Sequence, residues 1–238
     1  MSIDLTAFET LAPSAVRAFW APRASVSNED EGGSRRDAPS SEGMGGFQRI
    51  IREITVANGL PAESVHPSIE EGGRGATLPG FYRPLEEWDS LVLWRGELVA
   101  AVALKSQVGS GLADRAGEAI RMAENLRGAY RSGLLGDTAR PFVGYLMLLD
   151  DSPGATRPVG LGSHHFDADP VFDGASYAER YRTMCTRLMR EGLYDSAALV
   201  LSEPRSGESG TYRELSEPTS LRAFCARLAA RVSEVASR

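Results

Sequence analysis

Asp89 and Lys105 are the two residues whose types and spacing best suit phosphodiester chemistry. A phosphodiester hydrolase needs a divalent metal held by hard oxygen ligands and a cation to stabilise the charge that develops on the phosphate. Asp89 stands immediately before the apolar run 90–94, and Lys105 ends the apolar run 98–104. Arg95-Gly96 between the runs reads as a turn. In an antiparallel hairpin the outer ends lie side by side, so carboxylate and ammonium converge at one edge of a sheet. Lys105 is also the only lysine, beside 25 arginines. The excess of Ala, Arg and Gly fits a GC-rich coding sequence that favours Arg codons. A lysine kept under that bias marks a place for a compact charge with a movable pKa, where a broad guanidinium fork does not serve. Chance survival of a single Lys fits the composition equally well.

The turn sets a condition on this reading. A two-residue turn in a regular ladder opposes Asp89 to Val102 and sends Lys105 to the other face. A three-residue loop, or one bulge, opposes Asp89 to position 103 and brings 103 and 105 to the face of Asp89. A plain hairpin with a surface Asp and a surface Lys is the ordinary alternative, and on spacing alone the commoner one.

The elements that must position the pair follow from periodicity. Residues 5–20 read as a helix with Leu5, Phe8, Val16, Phe19 and Trp20 on its apolar side, broken in two by Pro13. Residues 23–46 carry almost no large apolar side chain and read as a flexible linker. A helix over 46–58, with Phe47, Ile50, Ile51 and Ile54 at helical spacing, stops at Gly59. Residues 70–76 form a second flexible stretch, followed by a strand near 77–82 and the hairpin 90–104. Then come a helix over 113–131, a strand over 141–149, a helix over 176–190, a strand over 196–201 and a helix over 218–236. This order predicts an α/β fold with a mixed central sheet flanked by helices. It divides the chain into an N-terminal helical segment (1–22), a linker (23–46) and one domain (47–238) that includes a C-terminal helical addition.

Composition narrows the function classes. The 238 residues suffice for one sizeable α/β domain. A net charge of −6 argues against a non-specific nucleic-acid coat and leaves room for a local basic cleft. Cys185 and Cys225 lie far apart, without CxxC spacing, and read as buried thiols. No apolar run reaches membrane-spanning length and the N-terminus has no basic-then-apolar leader, so a cytoplasmic protein without membrane attachment is expected. His164 and His165 with Asp167 and Asp169 imitate a metal cluster, yet His66 is the only other histidine. A surface loop, or one facing DNA, is the better reading.

The stretch Leu78-Pro-Gly-Phe-Tyr-Arg-Pro-Leu-Glu-Glu-Trp-Asp89, followed by Val102-Ala-Leu-Lys-Ser-Gln-Val-Gly109, resembles the XhoI family of restriction endonucleases. Further segments match in order: Phe47 to Leu60, Ala129 to Gly133, Gly144 to Ser152, and Ser176 to Arg190 with Tyr194-Asp195. The resemblance covers residues 45–202 or so and implies a PD-(D/E)xK core. It further implies Mg²⁺-dependent hydrolysis of both strands of double-stranded DNA at a short palindromic site, CTCGAG, by a homodimer. The implied active site is an Asp followed by Glu-x-Lys. Asp89 and Lys105 match, and Ala103 stands at the Glu position, so Asp89 and position 103 are the implied metal ligands. With Ala103 there, an inactive or strongly impaired chain is expected. The alternative is a carboxylate supplied from elsewhere, by Glu53, Glu97 or Glu118. Glu53 is favoured because the superfamily often sets an acidic residue of its first core helix beside the metal. Ser106, Gln107, Arg115, His164 and His165 are the candidate DNA contacts, since Gln can pair with adenine and Ser and Arg can meet phosphate; ordinary loop and helix-surface roles are the alternative. Two other readings remain open: a sequence-specific DNA-binding protein that does not cut, and a repair nuclease of the same fold.

Overall fold

The computed structural model describes residues 3–26, 43–67, 76–108, 115–162 and 165–238. His164, the middle of the 23–46 stretch and residues 70–75 lie outside them. The centre is a five-stranded mixed sheet in the order β1-β4-β5-β6-β7: β1 (Val65–His66), β4 (Ser90–Trp94), β5 (Glu97–Gln107), β6 (Phe142–Asp150) and β7 (Ser196–Ser202). β1, β4 and β5 pair antiparallel, whereas β5, β6 and β7 run parallel. β6 and β7 are buried along their whole length, as expected of parallel strands covered on both faces. β2 (Ala76–Pro79) and β3 (Leu85–Trp88) form a separate two-stranded ribbon leading directly to Asp89.

The hairpin meets the condition set by its sequence. Trp94 pairs with Glu97 across the two-residue turn, and the register shifts once between Val92 and Leu93, so that Ser90 opposes Val102. Val99 and Ala100, consecutive residues, both join the core on one side of the sheet, while Leu98, Ala101 and Ala103 join the core on the other. One bulge therefore re-phases the rest of β5. Continuing the register by one residue sets Asp89 opposite Ala103. Arg95 takes φ 50° and Gly96 φ 82°, the left-handed pair that a tight hairpin turn requires.

Helices cover both faces. One side carries α1 (Phe8–Val26), α2 (Gly45–Ala57) and α7 (Leu221–Ala236), which bury Phe19, Phe47, Ile51, Phe224 and Leu228 against Val92, Val102 and Leu104. The other carries α3 (Arg115–Arg131) and α5 (Tyr177–Arg190), with Met122, Leu126, Tyr181 and Cys185 against Ala101, Tyr145 and Met147. α5 starts in a reciprocal capping box between Ser176 and Glu179. Single turns α4 (Pro153–Thr156) and α6 (Ser206–Ser209) complete the helices among the described residues.

Three details differ from the sequence expectations. α1 continues through Pro13 and Pro22 to Val26, and α2 begins at Gly45, so the 23–46 stretch is helical at both ends. A proline costs α1 a backbone bond, but the continuous helix buries Phe8, Ala12, Ala15, Val16, Phe19 and Trp20 in the same core as α2 and α7. β3 was not expected, because Leu85-Glu-Glu-Trp88 reads as charged. Its burial alternates, and the inward carboxylate of Glu86 meets Arg121 at 2.6 Å and the Asn125 amide at 2.9 Å.

Candidate active site

Near the carboxyl end of β5 three elements deliver charge to one point. Asp89 comes from the residue before β4, Lys105 from β5 and Glu118 from the first turn of α3. Lys105 Nζ lies 3.5 Å from Asp89 Oδ2 and 3.1 Å from Glu118 Oε1. Lys105 and Asp89 side chains are only 10% and 14% exposed, so this is a shielded cluster.

Each member is held from behind. The Leu104 N–H donates to Asp89 Oδ2 at 2.8 Å, and the Gln48 amide of α2 donates to the Asp89 carbonyl at 2.7 Å. Arg115 Nη1 donates to Glu118 Oε2 at 2.9 Å, and Arg115 Nη2 reaches the Ser106 carbonyl at 3.1 Å, tying the start of α3 to the end of β5. The Tyr194 hydroxyl, fully buried, donates to the carbonyl of Ala119 at 2.9 Å and fixes the same turn from below. Ala103 has no exposure and sits in the apolar cluster with Trp88, Ala101, Ala119 and Tyr145.

The two carboxylates differ electrostatically. Loss of hydration on burial pushes the Asp89 carboxyl above its ordinary range; Lys105 and the Leu104 N–H oppose this without cancelling it, and Glu87 adds to it. Burial also acts to raise Glu118, but Lys105 and then Arg115 outweigh it, and that carboxyl falls below its usual range. The donors are carboxylate oxygens, the hard kind that Mg²⁺ takes, and a dication would relieve the desolvated charge of Asp89. Among the described residues no three His, Cys, Asp or Glu side chains gather as a metal-binding group. Mg²⁺ commonly uses one or two carboxylates and keeps several waters, so a two-carboxylate site fits it.

The structure brings together Asp89, Lys105, Glu118, Arg115 and the Ser106 carbonyl, with the Ala103 methyl in the core beside them. Glu53, the acid favoured from sequence, instead pairs with its neighbour Arg52 at 2.8 Å. Gln48 is the α2 residue that reaches Asp89, and Glu53 sits roughly 140° further round that helix. Glu97 begins β5, about 26 Å along the strand from Lys105. Ser106 and Gln107 are buried at the end of β5, and His165 is exposed on its loop. Arg121 is engaged with Glu86. Gln48 was missed altogether, since an amide on an amphipathic helix carries no signal of its own. Glu118 was ranked below Glu53, although a helix linking parallel β5 and β6 must begin near the carboxyl end of β5, where Lys105 lies.

Residues 24–214 match the family described as restriction endonuclease XhoI. The chain is 41% identical over 200 residues to the type II restriction enzyme XhoI of Xanthomonas vasicola, covering 81% of this chain and 79% of that one. It is 35% identical over 191 residues to the type II restriction enzyme BstVI of Geobacillus stearothermophilus (76% and 83% covered). It is 37% identical over 177 residues to the type II restriction enzyme AbrI of Azospirillum brasilense (70% and 77% covered). No solved structure matches. The matched span takes in the whole sheet, α2, α3 and α5 and the Asp89–Lys105 edge, and the chain belongs to the XhoI family of restriction endonucleases.

Proposed function

We propose that this protein is a type II restriction endonuclease that hydrolyses both strands of double-stranded DNA at a short palindromic site in a Mg²⁺-dependent reaction. CTCGAG is the site the resemblance implies. The observation that carries the reading is the convergence of Asp89 and Lys105 on one edge of the sheet, which depends on the bulge at Val99. A spare bulge that turns the only lysine toward a buried carboxylate is hard to explain as packing. Bound Mg²⁺ supplies a Lewis acid for the phosphoryl oxygen and a water of lowered pKa. Asp89 would hold it, with the carboxylate fixed by the Leu104 N–H and the backbone fixed by Gln48. Lys105 would orient the attacking water and offset the negative charge that grows on the phosphate. Ser106 and Gln107 extend beyond Lys105 on the same strand and are the nearest candidates for DNA contact; His165, exposed on a separate loop, and His164, outside the described residues, are further candidates. Arg115, engaged with Glu118 and Ser106, is better suited to holding the site than to meeting phosphate.

A palindromic site is two-fold symmetric and each chain carries one such centre, so a double-strand cut calls for two chains about a two-fold axis. We place this homodimer in the cytoplasm, with DNA as its partner; among the described residues no helix is long and apolar enough to cross a membrane. Ala103 favours a second reading, a protein that binds its site without cutting, because the family's pattern puts a metal-binding Glu there. Digestion of a plasmid bearing one CTCGAG site, with Mg²⁺ or with chelator, together with a gel shift on the same sequence, decides between them. The endonuclease gives one discrete linear product only with Mg²⁺. A shift without cutting establishes the binding protein, and unspecific or structure-dependent cuts point to a repair nuclease.

A further inference from the structure

We propose that Glu118, on α3, is the second metal-binding carboxylate of the active site and takes the place of the acid that Ala103 lacks. This rests on the endonuclease reading above and names the residue that completes its site.

The path of the chain makes the exchange possible. β5 ends at Gln107, α3 begins at Arg115, and β6 returns parallel to β5. α3 must therefore start near the carboxyl end of β5, and its first turn comes back to Lys105. Glu118 occupies that turn, where the positive end of the helix dipole also favours a carboxylate. One of its oxygens lies 3.1 Å from Lys105 Nζ, and the other accepts from Arg115 at 2.9 Å. Asp89 Oδ2 lies 3.5 Å from the same Nζ. Two carboxylates from different elements thus meet at one shielded ammonium, and both lie within reach of a dication bound beside it.

Position 103 explains why one acid excludes the other. Its Cβ lies on the Asp89 face, has no exposure and belongs to the cluster that contains Ala119, the neighbour of Glu118. A Glu side chain at 103 would put a carboxylate into that fully buried cluster, close in sequence to Lys105. The small methyl fits that cluster without a charge, and the carboxylate beside Lys105 comes from α3 instead. Three contacts hold that turn: Arg115 to Ser106, Arg115 to Glu118 and Tyr194 to Ala119. A solvated helix charge would have no use for such support.

The competing role is a plain ion pair that only neutralises Lys105. Mn²⁺ titrated into the full-length protein, followed by electron paramagnetic resonance, separates the two. The proteins compared are the unaltered chain, Glu118→Gln, Asp89→Asn, and Glu124→Gln as a control lower on α3. Loss of a mere outer-shell partner costs roughly 10–100-fold in metal affinity, so loss of a ligand should cost at least about that much. Glu118→Gln and Asp89→Asn should both weaken Mn²⁺ binding to this degree and cut a CTCGAG duplex at least about 10³-fold more slowly. Glu124→Gln should do neither. Glu118→Gln keeps the shape and an acceptor for Arg115, and a melting curve checks its fold; Glu118→Asp, with the charge kept but the reach shortened, should fall between it and the unaltered chain. A Glu118→Gln protein that melts earlier yet binds Mn²⁺ and cuts normally overturns the proposal and leaves the endonuclease reading standing on Asp89 and Lys105. An unaltered chain that neither cuts nor binds the duplex overturns both.

Discussion

At the scale of single residues, the lone lysine, Lys105, is the cation held between two carboxylates. Its ammonium fits between Asp89 and Glu118 with a tenth of its side chain exposed, a slot shaped for a point charge. Lys105→Arg should therefore behave as a loss of function even though the charge is conserved. Cleavage of a CTCGAG plasmid should fall by about 10³-fold or more while binding in a gel shift persists. Ala103 makes the opposite point: it is fully buried, and a Glu there must overpack the apolar cluster around it. Ala103→Glu should lose about 1–3 kcal/mol of stability in chemical denaturation and gain no cleavage. The thiols of Cys185 and Cys225 are both pushed up to about 12 by burial. Neither should react with a thiol reagent at pH 8 until denaturant is added, when both should.

Elements decide where those residues point. Without the extra residue at Val99, positions 101, 103 and 105 would turn to the face of α2 and α7, and Lys105 would enter apolar core. The capping box of α5 is a simpler device, and its strength can be read directly. The Ser176 N–H and then its hydroxyl hold the Glu179 carboxyl below its ordinary value, against slight desolvation. A depressed folded pKa contributes stability that is complete above the unfolded value of about 4.5 and is lost as pH falls through the folded one. Ser176→Ala should cost about 1 kcal/mol at pH 7, or about 2–4 °C in Tm. The gap between the two melting curves should narrow as pH drops below that value.

For the whole molecule, charge and symmetry govern the encounter with DNA. The net charge of −6 disfavours loose binding, and with 25 arginines and one lysine the phosphate contacts of the proposed complex fall to arginine. Specific binding should weaken steeply with salt, with log Kd changing linearly in log salt concentration as phosphate contacts release counterions. A flat dependence would exclude an arginine-lined cleft. Light scattering on the protein with a palindromic duplex should return the mass of two chains; one chain per duplex would remove the symmetric double-strand cut.

The sequence alone determined the order of the long helices and of β2 and β4 to β7, because period-2 and helical apolar patterns follow from which faces must leave water. It also marked Asp89 and Lys105, through a lone lysine and two hairpin ends, and stated that a three-residue loop or one bulge was required. It left open where the bulge lay, since Val99 and Ala100 are both apolar and suit either face until the strands pair. It carried α1 no further than Pro13 in one piece, because local propensity counts the lost backbone bond and not the buried face that compensates for it. It passed over β3, whose buried Glu86 is legible only once Arg121 and Asn125 stand beside it. Glu53, Glu97 and Glu118 share one side-chain type, and the resemblance favoured Glu53. Only the tertiary structure separated them, because a carboxylate reaches Lys105 according to where its helix or strand begins in space: Glu97 lies a strand's length away, Glu53 lies round the helix from Gln48, and the crossover from β5 to β6 returns Glu118 to the lysine.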